Sequence, residues 1–137
     1  RQGWCDIGYN FVVSHDGRIF EGRSLEYEGE TNTKYPLRDQ VQVELMGDFT
    51  KQRVTPKQLE SLVKLNAWLC DAYQIDPILM GGHNDRAPRQ TSCPGMDLYR
   101  YISDGQITKA GIEELRQCQQ VAESIRLRII DALRADT

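Results

Sequence analysis

Two side chains of this sequence have types and spacing that suit chemistry: the imidazole of His83 and the thiol of Cys93, ten residues apart around a Pro-containing loop. Zinc at catalytic sites is held by three protein ligands of the His, Cys or carboxylate type, with a fourth position left for water. One His and one Cys are two of three. Either another residue of the chain completes the set, or the third ligand lies outside it, or the pair is not a metal site and Cys93 is a small buried hydrophobe.

The surrounding residues must position this pair. Ile78-Leu79-Met80 running into Gly81-Gly82 is expected to be a strand ending in a Gly pair, which would set His83 at a strand mouth. Pro94-Gly95 ends the loop, and Met96 to Ile102 has the apolar spacing of a short helix, with Leu98, Tyr99 and Ile102 on one face. Cys93 then precedes a helix N-terminus, where the dipole favours a thiolate.

Upstream, Ile7 to Val13 and Arg18 to Phe20 flank Ser14-His15-Asp16-Gly17. An Asp-Gly pair between apolar runs signals a hairpin and makes His15 a solvated turn residue. Residues 24–40 are polar and aperiodic, as in a long surface loop of the kind that often binds ligands. Val41, Val43 and Leu45 alternate with polar residues, as in a strand with one buried face. Thr55-Pro56-Lys57-Gln58 supplies an N-cap, a Pro at the first helical position and a Gln three residues after the cap. The helix it opens carries Leu59, Leu62, Val63, Leu65, Ala67, Trp68, Leu69 and Ala72 and ends near Tyr73. The fold class is α/β: a mixed sheet with helices packed on it.

From Ile107 the pattern changes. Leu115, Cys118, Ala122, Ile125, Ile129 and Ala132 are spaced 3-4-3-4-3, which describes an amphipathic helix over 107–134. Its stripe must be buried, against its own domain or against a protein partner.

Length and charge set limits. A chain of 137 residues holds one domain plus an extension. A net charge of −3 provides no basic field to recruit nucleic acid. No apolar run is long enough for a membrane span. The four Cys at 5, 70, 93 and 118 form no CxxC, which excludes zinc-ribbon and thioredoxin readings. The sequence begins at Arg1, and a segment upstream of it is expected.

Taken in order, Gly3-Trp4-Cys5-Asp6-Ile7-Gly8-Tyr9-Asn10-Phe11, Asp16-Gly17-Arg18-Ile19-Phe20-Glu21-Gly22-Arg23, Leu45-Met46-Gly47-Asp48-Phe49, Gly82-His83-Asn84-Asp85 and Cys93-Pro94-Gly95-Met96-Asp97-Leu98-Tyr99 resemble the peptidoglycan recognition protein and type 2 N-acetylmuramoyl-L-alanine amidase family. The resemblance covers residues 1–102, an N-terminally truncated amidase-like domain, and leaves 103–137 as a C-terminal helical extension. It implies a Zn2+ ion held by two His and one Cys. His83 matches the second His and Cys93 the thiol ligand; the first His belongs to a strand upstream of the Gly8–Phe11 block. Tyr9 matches the Tyr of that block, and Thr91 the catalytic Thr or Lys. Two departures stand out. The loop from His83 to Cys93 is longer than usual, and Glu30-Thr31-Asn32 replaces the Ala-His-(Thr/Ser) of the substrate groove.

The implied activity is hydrolysis of the amide between N-acetylmuramic acid and L-alanine in peptidoglycan or its muropeptides, by a secreted or periplasmic protein. Tyr9 would donate to the developing oxyanion and Thr91 would orient water or oxyanion. Each has a plainer alternative, Tyr9 as a core aromatic and Thr91 as a cap. Two other functions remain: a peptidoglycan receptor that does not cleave, and a structural or interaction subunit built on a degenerate amidase domain.

Overall fold

A computed structural model describes residue 3 and residues 5–135. Trp4 of the first motif block and the side chain of Ala132 in the C-terminal stripe lie outside the described residues.

The hairpin forms as expected, with shorter strands. β1 (Phe11–Val13) pairs antiparallel with β2 (Ile19–Glu21) in the register Val12 to Phe20, and parallel with β3 (Val43–Leu45) in the register Val12 to Glu44. The sheet order is β2-β1-β3. β1 is central and all three of its residues are buried, which fits its β-branched and aromatic composition. Phe11, Val13 and Leu45 meet Leu62, Leu65 and Leu69 of α1 (Pro56–Tyr73) in one core with Phe49, Val54, Leu98 and Ile107.

The start of α1 follows from its capping box. Thr55 Oγ1 accepts the Gln58 N–H at 3.1 Å, and the Gln58 side chain accepts the Thr55 N–H at 3.1 Å. Gln58 is fully buried and donates from Nε2 to Met46 O at 3.0 Å, which ties the helix to the end of β3. Of the apolar face predicted for this helix, Trp68 is half exposed and Ala72 lies in solvent.

One expected strand is absent. Residues 77–79 form a 3-10 turn, Pro77–Leu79, and His83 opens a short helix, α2 (His83–Arg86), instead of closing a strand. Asp76 Oδ1 caps the turn by accepting the Ile78 N–H at 3.0 Å, with Pro77 at the first position. Asp76-Pro77 is a helix-start pair, and that local signal outweighs the apolar run behind it. Among the described residues β3 has only β1 as a neighbour, so nothing offers residues 78–82 a strand to pair with.

α3 (Met96–Ser103) and α4 (Gln106–Ala135) complete the chain. α4 packs its first turns on α1, α3 and the 3-10 turn, burying Ile107. Of the two covers open to the stripe, its own domain reaches only as far as Leu115. Leu115 is half-buried, whereas Cys118, Ala122, Ile125 and Ile129 are exposed because the helix outruns the domain.

Candidate active site

Tyr9 lies just before β1, where a knot of buried polar groups fixes the backbone. Arg23, buried, donates from Nε to Ile7 O at 2.8 Å and from Nη1 to Glu28 O at 2.7 Å. Its backbone N–H donates to Tyr9 O at 2.8 Å. Asn10, 1% exposed, accepts the Gln42 N–H and donates to Arg23 O. Gly22 permits this close approach, since a Cβ there would stand 2.5 Å from Tyr9 O.

His83 and Cys93 come together through the backbone: the Asn84 N–H donates to Cys93 O at 2.9 Å. Asp85 braces the turn by accepting the Gly82 N–H at 2.7 Å and the Tyr99 hydroxyl at 2.5 Å. Gly95 has φ +88°, and a Cβ there would collide with the backbone of Phe49 and Thr50, so the loop after Cys93 can lie against the turn that follows β3. Tyr9, His83 and Cys93 all line one cleft of about 320 Å³, a volume suited to a small ligand or part of a larger one.

Thr91 is not among the residues lining that cleft. Its hydroxyl accepts the Cys93 N–H at 3.0 Å and so fixes the turn that carries the thiol.

The long polar loop supplies partners that sequence reasoning missed. His83 Nε2 lies 2.6 Å from Thr33 Oγ1 and 3.2 Å from Thr31 Oγ1, and the two hydroxyls are 2.8 Å apart. The Tyr35 ring is 5.6 Å from the imidazole, centroid to centroid. The signal in the sequence was the run Thr31, Thr33, Tyr35, polar hydroxyls at alternate positions in a loop otherwise without pattern.

Glu44 was also missed, hidden as the polar member of an alternating strand. Burial raises its carboxyl pKa, and its charge acts on both Tyr9 and Cys93. Burial, then Glu44, Cys93 and Tyr35, push the Tyr9 hydroxyl up. Burial and then Glu44 raise the Cys93 thiol, which reverses the expectation that the following helix makes it a thiolate. Burial lowers the His83 pKa and keeps the ring neutral at neutral pH.

These are suitable properties for holding a cation. A neutral imidazole and a thiol share the cleft, and the deprotonated forms of Tyr9 and Cys93 are disfavoured where a positive ion would stabilise them. In kind the donors His83 and Cys93 fit zinc. In number they are one short: among the described residues no cluster of three His, Cys, Asp or Glu is assembled. Two cleft-lining residues, Gln42 and Asn66, also bury polar atoms without hydrogen-bond partners, Oε1 near Gly29 and Nδ2 near Gly111.

Comparison with known proteins shows what the chain is similar to. The family model described as N-acetylmuramoyl-L-alanine amidase matches residues 1–96. Peptidoglycan-recognition protein SC2 of Drosophila melanogaster is 31% identical over 104 residues, covering 73% of this chain and 53% of the relative. The endolysin of Enterobacteria phage K11 is 31% identical over 111 residues, covering 77% of this chain and 70% of the endolysin. Among solved structures, the N-acetylmuramoyl-L-alanine amidase LysC from Clostridium intestinale superposes with a TM-score of 0.66 at 30% identity, over 79% of this chain and 66% of that one. The chain spans about half the length of the peptidoglycan recognition proteins it matches.

Proposed function

The chain belongs to the N-acetylmuramoyl-L-alanine amidase family, and from that premise we propose that it hydrolyses the amide joining N-acetylmuramic acid to L-alanine in peptidoglycan. The observation that carries this reading is the convergence of Tyr9, His83 and Cys93 on one cleft from three separate segments. We assign the activity to residues 1–102, with 103–137 as an extension, and place its action at the cell wall, outside the cytoplasmic membrane. No described helix is long and apolar enough to cross a membrane.

His83 and Cys93 would hold the zinc ion, with the set completed by a ligand beyond the described residues. When bound, zinc makes water acidic near neutral pH and polarises a carbonyl. The chain's own residues do the rest. Tyr9, kept protonated by burial, donates its hydroxyl hydrogen to the carbonyl oxygen as charge develops there. Glu44, whose charge reaches Tyr9 and Cys93 from beside the cleft, adds to the effect of burial in raising both pKa values, while the attacking water adds its hydroxyl to the carbonyl carbon and its proton ends on the departing amine of L-alanine. Thr91 holds Cys93 in place through its backbone.

A second reading, a receptor that binds peptidoglycan without cleaving it, is favoured by the two-donor count among the described residues. Elemental analysis of the full-length protein distinguishes the two. The amidase reading expects about one zinc per chain, lost in Cys93→Ser and in His83→Ala, because the ligands act together. A metal content that neither substitution changes contradicts it.

A further inference from the structure

His83 owes its position to side chains rather than to a strand. Residues 77–79 turn as a 3-10 helix, and among the described residues no strand runs into Gly82, so nothing in the sheet sets where the His83 turn stands. α3 supplies a fixed post instead. Its first turn is tied to the domain twice: the Asp97 N–H donates to Phe49 O at 3.2 Å, and Asp97 Oδ2 accepts the Val54 N–H at 2.8 Å. Leu98, buried, seats the same turn in the core.

Tyr99 is the next residue of that helix, and it meets the His83 turn in two ways. Its hydroxyl donates to Asp85 Oδ1 while Asp85 Oδ2 accepts the Gly82 N–H, so one carboxylate joins α3 to the residue before His83. A carboxylate has an oxygen for each of these bonds. The Tyr99 ring closes on the same point. A Cβ added to Gly82 would stand 3.1 Å from Tyr99 Cδ2 and 2.9 Å from Pro94 Cδ, so Gly82 is held between the ring on α3 and the residue after Cys93. The neighbouring bond from Asn84 N–H to Cys93 O, 2.9 Å long, then links the turn to the segment that carries the thiol.

We propose, on the amidase reading given above, that Asp85 and Tyr99 are positioning residues: together they clamp the His83 turn against the Cys93 loop so that both donors stay within reach of one metal ion. Neither lines the cleft that His83 and Cys93 share, so both act through Gly82 and Asn84. Metal sites depend on such support, because ligands held in place before the ion arrives bind it more tightly than ligands that must be gathered.

Amide hydrogen exchange on the metal-free protein tests the clamp, and cobalt(II) uptake tests what it serves. Tyr99→Phe removes one hydroxyl and keeps the ring. The Gly82 and Asn84 amides should then exchange about fivefold faster while the amides of α1 keep the parent's rate, as expected for one hydrogen bond lost at one turn. Cobalt(II) should bind about fivefold more weakly, with a weaker thiolate-to-cobalt charge-transfer band at saturation. Asp85→Ala should do more on both counts. Asp85→Asn should restore most of the parent's behaviour, because its amide oxygen still accepts the Gly82 N–H and its NH2 group can donate to the Tyr99 hydroxyl. Parent exchange rates at Gly82 and Asn84 in both Tyr99→Phe and Asp85→Ala overturn the proposal. So does a loss of protection shared equally by α1, which marks a general loss of stability, or cobalt binding unchanged in affinity and spectrum. A parent chain that takes up no cobalt, or takes it up without a thiolate band, contradicts the zinc reading instead, and the clamp is then decided by the exchange rates alone.

Discussion

Thr33 Oγ1 and His83 Nε2 are 2.6 Å apart, joined across 50 residues of sequence by a loop that has no regular structure of its own. The contact engages Nε2 and restrains the ring, so a metal held by His83 would take the other ring nitrogen, Nδ1. Partners of this kind behind a ligating imidazole typically hold 10–100-fold in metal affinity. Thr33→Val keeps the shape and removes the hydroxyl, so zinc affinity in a chelator competition should fall about tenfold with the fold intact. Unchanged affinity would mean the contact is incidental to metal binding.

Gly22 is required by its distance to Tyr9. A methyl group placed 2.5 Å from Tyr9 O must displace the strand end and break the hydrogen bond from Arg23 N. Gly22→Ala should therefore cost about 1–3 kcal/mol of stability, in the range of overpacked sites, and reduce activity through the displaced Tyr9. Chemical denaturation checks the first part. A neutral substitution would show that the Asn10–Arg23 knot is more compliant than its burial implies.

Glu44 couples stability to pH. Burial raises its folded-state pKa above the ordinary carboxylate value, so the folded protein holds that proton more tightly than the unfolded chain. The parent is penalised at neutral pH, and the penalty disappears as pH falls through the folded and then the unfolded pKa. In metal-free protein, Glu44→Gln should melt about 1–3 °C higher at neutral pH, a modest gain because the group is partly exposed, and the gap should close in acid. A gap that widens on acidification would reverse the assignment.

Thr55→Ala removes the N-cap of α1 and the hydroxyl that donates to His15 O at 2.8 Å. The expected loss is about 1 kcal/mol, seen as a lower denaturation midpoint with the slope unchanged.

That cap was legible from the sequence because its signal is local: Thr55-Pro56 and Gln58 determine the helix start whatever surrounds them. The hairpin was legible for the same reason, as were α3 and the extent of α4. Residues 78–82 were not. Their apolar run fits a strand only if a neighbouring strand is there to pair with, and the Asp76-Pro77 start signal prevailed in its absence. His83 and Cys93 could be found from residue type and motif order. Thr31, Thr33 and Glu44 could not, since a hydroxyl in a loop or an acid in an alternating strand takes on a role only when tertiary packing brings it near His83, or near Tyr9 and Cys93. The end of the buried stripe on α4 was equally hidden, because spacing shows which face is apolar and not where the domain surface stops.

The central claim is tested most directly by the product of incubating the full-length protein with a purified muropeptide. The account predicts two fragments by mass spectrometry, one ending in the free lactyl carboxyl of N-acetylmuramic acid and one beginning with the free amine of L-alanine. It also predicts a rate about 10²–10³ lower for Tyr9→Phe, the usual cost of losing one transition-state donor. An intact muropeptide after incubation with zinc-loaded protein, or fragments cut at any other bond, would contradict it.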